Sequence, residues 1–219
     1  MEMKAEAIIF DFDGTLVHLN IDFKGMREDV EEIIGKYDVE VGSLRDLYIL
    51  EMIDRARDLV MARSLSAAPS LYEEAQGVVR EYEVRAAKAG KVIEGVPQML
   101  RKLASMGIKR GVITRNCDEA VREVFPDIEA FCDVFISRDV VKAVKPHPAH
   151  LGLALERLHV KDGPGCLMIG DHVMDIEAGK HHSLKVAGVL TGKTTTREFL
   201  DAGADFVMGD VTEIFEYVQ

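Results

Sequence analysis

Cysteine is scarce in this sequence, and long apolar runs are absent from it. The 3 cysteines, Cys117, Cys132 and Cys166, lie far apart and are an odd number. Disulfide frameworks need paired cysteines, so this usage favours a reducing compartment. No apolar run approaches the roughly 18 to 20 residues that span a bilayer. The charged segment Met1 to Glu6 has no signal-peptide pattern. We therefore expect a cytoplasmic protein.

Side-chain amides are also rare, whereas Glu, Lys and Arg are abundant. Asparagine and glutamine occur only at Asn20, Asn116, Gln76, Gln98 and Gln219. Scarce amides beside many charged residues are typical of proteins from heat-adapted organisms. A short chain can also reach this composition by chance, so both explanations stay open.

Positive charge is in short supply as well. The net charge is −11, with no basic patch and no long block of like charges. Proteins that bind a nucleic-acid backbone usually do so through clustered Lys and Arg residues. Proteins that bind an anionic membrane surface use similar clusters. We therefore expect neither nucleic acid nor a membrane as a partner, and we predict no particular oligomeric state.

Apolar residues are plentiful, at 47% of the 219 residues, and their pattern predicts an α/β fold. Short continuous apolar runs suit strands that are buried on both faces. They lie at 7–10, 111–113, 134–136, 166–169, 186–190 and 206–208. Segments with helical spacing lie between most of them, at 98–106, 149–158 and 195–202. This alternation predicts a doubly wound parallel sheet.

Residues 17–90 have a different pattern, with no strand-like run. Three amphipathic segments, 22–35, 43–63 and 69–89, predict helices. Ser43 is the expected N-cap of the second helix, Pro69 suits the first turn of the third, and Gly90 is the expected stop. We predict an α/β core of residues 1–16 and 91–219, with a helical domain, 17–90, inserted after the first strand.

The strongest chemical signal is Asp11-Phe12-Asp13-Gly14-Thr15, directly after the first apolar run. Ligands of doubly wound sheets bind outside the carboxyl ends of the strands. Alternation along the strand would place Asp11 and Asp13 on one side, and Gly14 allows a sharp turn. Two neighbouring carboxylates beside an apolar sheet repel each other unless a cation neutralises them. A surface turn rich in Asp and Gly is the alternative.

A second pair of acids, Asp171 and Asp175, follows the run 166–169. If a helix begins near His172, Asp175 lies in its first turn, close to Asp171. Hard oxygen ligands of this kind favour magnesium over zinc. A plain helix N-cap with an acidic first turn has the same pattern, but beside Asp11 and Asp13 the pair favours a metal site.

Three further residues are candidates for phosphate binding. Thr114 ends the run 111–113, and its hydroxyl, with free backbone N–H groups at a strand-to-helix turn, would cradle phosphate oxygens. Arg115 is its neighbour. Lys145, before Pro146, could supply a compact positive charge. Each also has a structural alternative: a helix cap for Thr114, and a solvent-facing position for Arg115 and Lys145.

In this order, the four segments resemble the four motifs of the haloacid dehalogenase (HAD) superfamily. The match spans the whole chain, and a helical insertion between the first and second motifs resembles the phosphoglycolate phosphatase-like branch. The resemblance implies a Rossmann-like α/β core, an inserted α-helical cap domain and Mg²⁺ as cofactor. It implies that Asp11 is the nucleophile and also a metal ligand. It implies that Asp13 is the general acid and base, with its backbone carbonyl at the metal.

The same resemblance assigns the remaining positions. Asp171 would complete the metal site, and Asp175 would bind the metal directly or orient a bound water. Thr114 and Lys145 would hold the phosphoryl oxygens, and Arg115 could touch the substrate.

Asp13 also separates the reactions known in the superfamily. Dehalogenation needs no general acid two residues after the nucleophile. The phosphonate hydrolases of the superfamily also differ from this pattern at the position of Asp13. We therefore expect a Mg²⁺-dependent phosphatase that acts on a small phosphate monoester, phosphoglycolate-like or a sugar phosphate, through an aspartyl-phosphate on Asp11. Two alternatives stay open: a phosphomutase, which would also keep Asp13, and a non-enzymatic phosphate- or metal-binding regulatory protein.

Overall fold

The first strand, β1, consists of apolar residues that are all buried. In chain order the strands are β1 (Ala7–Phe10), β2 (Val17–His18), β3 (Lys91–Val92), β4 (Lys109–Ile113), β5 (Val134–Ile136), β6 (Cys166–Gly170), β7 (Lys185–Val189) and β8 (Phe206–Met208). The computed structural model describes residues 3–219; Met1 and Glu2, which begin the predicted segment 1–16, lie outside the described residues.

Six of these strands form one parallel sheet in the order β5-β4-β1-β6-β7-β8. The helices are α1 (Phe23–Lys36), α2 (Ile49–Met61), α3 (Ala67–Ala89), α4 (Val96–Ser105), α5 (Asp118–Val124), α6 (Pro148–Leu158), α7 (Val173–His181) and α8 (Thr196–Ala202). Among residues 3–219, no helix is both long and apolar enough to cross a bilayer.

Both faces of the sheet are covered by helices. Along β1, Ile8 and Phe10 point into one apolar cluster with residues of α4, and Ala7 and Ile9 point into another with residues of α6, α7 and α8. Successive strand residues point to opposite faces, so two covered faces require an apolar run without alternation. The predicted fold class, a doubly wound parallel sheet, is confirmed.

The chain divides into two compact units, a core up to Leu19 and from Ala89 onward, and a helical unit, Asn20–Lys88. The predicted segment 17–90 differs from this helical unit at its ends. Val17 pairs with Val92 in the antiparallel β2–β3 ladder, which makes residues 17–18 part of the core unit.

The predicted N-cap at Ser43 is wrong. Helix α2 begins at Ile49, with Tyr48 at the N-cap position, and Ser43 lies in a short 3₁₀ helix, Val41–Leu44. The Ser43 hydroxyl donates to the Glu40 carbonyl at 2.8 Å. Serine can hydrogen-bond backward to a carbonyl as readily as it caps a helix, and here the backward bond supports a turn.

Candidate active site

The order of the strands brings the predicted site residues to one edge of the core unit. Asp11 follows β1, Thr114 follows β4, and Asp171 follows β6, and these three strands are neighbours in the sheet. Sheet bonding continues past the strand ends, since Asp11 N donates to Ile169 O at 2.8 Å. Because the carboxyl ends of parallel strands share one edge, residues far apart in sequence become neighbours.

Three carboxylates converge at this edge. Oxygens of Asp11, Asp171 and Asp175 lie within 4.8 Å of one another. Asp11 and Asp175 are buried, and Asp171 is partly exposed. Asp175 lies in the first turn of α7, as expected, and accepts a hydrogen bond from His172 N at 3.1 Å, which turns its carboxylate back toward the strand end.

Glycines leave the space that these carboxylates occupy. A Cβ added at Gly14 or Gly192 would overlap the Asp171 carboxylate, and one at Gly170 would overlap Asp175. Any other residue at these positions would displace an acid. Gly14 was predicted for its turn, whereas Gly170 and Gly192 were not predicted, because their contacts depend on how β6 packs against α7 and against the loop after β7.

Lys145 is a buried cation at the centre of this cluster. Its side chain is 2% exposed, and its Nζ pairs with Asp11 and, at 2.6 Å, with Asp175. Burial by itself lowers the pKa of Lys145, but the charges of Asp11 and Asp175 outweigh it and raise the pKa. The ammonium therefore stays charged, and the solvent-facing alternative for Lys145 does not apply.

The four acids at this edge outnumber the Lys145 ammonium, and the pKa values of Asp13, Asp171 and Asp175 reflect this excess of negative charge. Burial, then the charge of Asp11, raises the pKa of Asp13 to about 7. Burial, then the charges of Asp11 and Asp175, raises the pKa of Asp171 to about 9. Burial raises the pKa of Asp175 to about 6, although Lys145 opposes the shift.

A further cation would relieve this excess of negative charge. Closely spaced carboxylate oxygens are the ligands that Mg²⁺ prefers, so the acids fit the predicted metal. Within residues 3–219, the converging set is Asp11, Asp171 and Asp175. The Asp13 carboxylate instead accepts from Leu19 N at 3.0 Å. The metal contact that the resemblance implies for Asp13 would be made by its backbone carbonyl and not by this carboxylate.

Thr114 and Arg115 lie beside the acids at the end of β4. The buried Thr114 hydroxyl accepts from Asn116 N at 3.1 Å and donates to Asn116 Oδ1 at 3.3 Å. The Arg115 Nη1 donates to the backbone carbonyl of Lys145 at 2.5 Å. The structure therefore connects the Thr114 segment to the Lys145 loop, a contact that sequence spacing does not reveal.

Some buried polar side chains at this edge are not among the site residues that were predicted from the sequence. Asn116 Nδ2, Ser137 Oγ and Thr15 Oγ1 are buried and have no hydrogen-bond partner among the described residues. Asn116 and Ser137 follow β4 and β5. A polar residue after each buried strand is the signal that could have identified them.

A comparison with protein families settles the membership of the chain. The family described as haloacid dehalogenase-like hydrolase matches residues 5–182. The chain belongs to this hydrolase family. The superfamily predicted from the four motifs is therefore confirmed.

Curated relatives carry names of phosphate-releasing enzymes. Pyrophosphatase PpaX of Anoxybacillus flavithermus is 30% identical over 203 residues, which cover 85% of this chain and 84% of the relative. N-acetylmuramic acid 6-phosphate phosphatase of Pseudomonas aeruginosa is 29% identical over 197 residues, which cover 87% of this chain and 84% of the relative. The name of the second relative agrees with the predicted enzyme class, a phosphoric monoester hydrolase, whereas pyrophosphate is an anhydride of two phosphates.

Solved structures show the same fold. A hydrolase from Pseudomonas syringae has a TM-score of 0.68 at 21% identity, with 96% of each chain covered. A predicted phosphoglycolate phosphatase from Haemophilus somnus has a TM-score of 0.63 at 16% identity, with 97% of each chain covered. At these identities the likeness concerns the fold, and it agrees with the predicted HAD-type core.

Proposed function

We propose that this chain is a Mg²⁺-dependent phosphatase that hydrolyses a small phosphate ester through an aspartyl-phosphate on Asp11. The observation that carries the proposal is the convergence of Asp11, Asp171 and Asp175 around the buried ammonium of Lys145. Burying several carboxylates is unfavourable, so a cluster of this kind is expected where charge has a chemical role.

Asp11 is the proposed nucleophile. A carboxylate that attacks phosphorus divides a difficult hydrolysis into two easier displacements. Lys145 neutralises charge beside Asp11, which favours the approach of an anionic substrate. Mg²⁺, held by Asp11, Asp171 and the Asp13 carbonyl, with Asp175 as a direct or water-mediated ligand, would supply further neutralisation of charge.

Lys145, Thr114 and Arg115 are the proposed phosphate-binding residues. Phosphoryl transfer depends on positioning and on neutralising charge on the phosphoryl oxygens more than on covalent chemistry by the protein. Lys145 supplies charge, and Arg115 adds charge at the same strand edge. The buried Thr114 hydroxyl would exchange its 3.3 Å hydrogen bond to Asn116 Oδ1 for one to a phosphate oxygen.

Asp13 is the proposed general acid and base. It would give a proton to the leaving group of the ester and later take one from the hydrolytic water. Its position supports this role, because it lies two residues after the nucleophile with its carboxylate anchored by Leu19 N. Every residue in this scheme belongs to the core unit, and the free, buried cysteines suit the cytoplasm in which we place the reaction.

Pyrophosphate is a second candidate substrate beside phosphoglycolate-like esters and sugar phosphates. Relatives named pyrophosphatase PpaX favour it, and one of them is 30% identical to this chain. The same chemistry applies, since Asp11 would attack phosphorus and the leaving group would be a second phosphate.

Phosphate release from a panel of these substrates, in Mg²⁺ or in EDTA, tests the proposal. Asp11→Asn removes the nucleophilic carboxylate and should abolish release, whereas Asp127→Asn, on an exposed residue of the core unit, should not change it. Release that needs neither Mg²⁺ nor Asp11 would contradict the proposal. Transfer of phosphate within a sugar, without its release, would identify a mutase instead.

A further inference from the structure

The backbone of Lys145 is held by two side chains. Its N–H donates to Nδ1 of His150 at 3.2 Å, and its carbonyl accepts from Nη1 of Arg115 at 2.5 Å. Lys145 lies in the loop between β5 and α6, where no strand or helix ladder fixes the backbone. These two hydrogen bonds therefore help to fix the backbone position from which the Lys145 side chain extends.

His150 is a fully buried residue in the first turn of α6. Its Nδ1 accepts from Lys145 N, so the other ring nitrogen, Nε2, carries the hydrogen in the neutral ring. Nε2 lies 3.2 Å from the carbonyl oxygen of Ile136 and donates to it. Burial, then the charge of Lys145, lowers the pKa of His150 to about 4, and this keeps the ring neutral near pH 7.

The Ile136 carbonyl connects this histidine to the other candidate phosphate-binding segment. Ile136 ends β5, and its oxygen also accepts from Thr114 N at 3.1 Å. A carbonyl oxygen has two lone pairs, so it can receive both donors. His150 therefore links the Lys145 backbone, through one carbonyl, to the residue that offers a hydroxyl to phosphate.

We propose that His150 is a positioning residue that fixes Lys145 relative to Thr114 and the acids. The inference rests on the proposed function, because it assumes that Lys145 and Thr114 hold phosphoryl oxygens. His150 acts only through the backbone of Lys145, and it is not itself a catalytic residue. Without it, the Lys145 N–H would be buried without an acceptor, and the loop would shift to find one.

The two hydrogen bonds of His150 can be removed separately. The Oδ1 atom of asparagine occupies the place of Nδ1, so His150→Asn keeps an acceptor for Lys145 N and loses the link to Ile136. The side-chain amide of glutamine reaches the place of Nε2, so His150→Gln keeps a donor for Ile136 and loses the acceptor for Lys145 N. Both substitutes are polar amides, which makes the two variants matched controls for each other.

The test compares both variants with the wild type in kcat/KM for phosphate release and in binding of inorganic phosphate, all in saturating Mg²⁺. We expect His150→Gln to lose about tenfold or more in kcat/KM, because small misplacements of a positioned group are costly. We expect His150→Asn to stay within about threefold of the wild type. Phosphate affinity should follow the same order, and unfolding midpoints would show that both proteins are folded.

Equal losses of kcat/KM in the two variants would overturn the inference, and so would a loss of thermal stability without a loss of kcat/KM. In either case the role of His150 would be to pack the core and not to position Lys145. If His150→Gln does not fold, His150→Leu, which removes both bonds, takes its place. A wild type that binds phosphate without turnover contradicts the proposed phosphatase, and the order of phosphate affinities still decides the role of His150. A wild type that neither binds nor releases phosphate overturns both.

Discussion

The ion pairs at the strand ends of the core unit differ from those on the helices of the helical unit. The side chains of Lys145 and Asp175 are 2% and 0% exposed, whereas those of Lys36 and Glu32 on α1 are 58% and 72% exposed. A buried pair loses its hydration, and its mutual attraction often fails to compensate for that loss. An exposed pair keeps its water and contributes little.

Under the proposed function, the buried pairs take part in the chemistry and the exposed pairs only lie on the surface. The core unit keeps Lys145 and its acids buried where apolar residues of similar volume would pack without a desolvation cost. On the helical unit, i,i+4 ion pairs such as Lys24–Glu28 and Lys36–Glu32 lie on a solvent-exposed face of α1. The comparison predicts large effects of substitution at the strand ends and small effects on the helices.

Lys145→Met should have the largest effect. It removes the ammonium beside Asp11 and Asp175 and should lower kcat/KM for phosphate release by about 10²- to 10³-fold, the usual effect of losing one preorganised charge donor. Without Mg²⁺, the unpaired buried acids should also destabilise the protein by roughly 3 kcal/mol. Steady-state assays and urea unfolding measure the two effects.

Lys36→Met is the matched control, because it makes the same change in an exposed pair. Its activity should equal that of the wild type. If it lost as much activity as Lys145→Met, burial would not distinguish the two kinds of ion pair, and the comparison would fail.

A smaller effect should appear in the pH dependence of stability. His150 in the unfolded chain takes up a proton near pH 6.5, whereas burial and then the charge of Lys145 lower its pKa in the folded protein to about 4. The unfolded state binds more protons between these values. The stability that comes from the neutral ring is therefore complete above pH 6.5 and is lost as the pH falls toward 4.

His150→Asn cannot titrate and should lack this loss. Between pH 7 and pH 4.5, the free energy of unfolding of the wild type should fall by roughly 2 kcal/mol more than that of the variant. Urea unfolding at both values measures the difference. Parallel pH profiles would show that the His150 ring is not held neutral by its surroundings.

Sequence patterns predicted the fold well where burial alone decides the structure. The run 7–10 has no alternation because β1 is covered on both faces, and this identified a parallel sheet. The start of α2 was missed because Ser43 bonds backward to Glu40, and residue type does not reveal which of two local bonds forms.

The residues of the candidate site likewise fall into those that the sequence patterns predicted and those that they did not. Asp11 and Asp171 were found because each follows an apolar run, and the sheet order then brings them together. His150 was missed because its partners, Lys145 N and Ile136 O, become neighbours only when the loop after β5 folds onto α6. A buried histidine has no sequence pattern of its own.

The exposed pairs of α1 should give the smallest effect at 25 °C. A double-mutant cycle with Glu32→Gln and Lys36→Met should measure a coupling of about 0.3 to 0.5 kcal/mol, which 1 M NaCl should remove. The hydration of charged groups weakens with temperature, so ion pairs become more favourable on heating. We therefore expect the coupling to increase between 25 and about 60 °C. A coupling that stays constant or falls would show that these charges only keep the helix solvated.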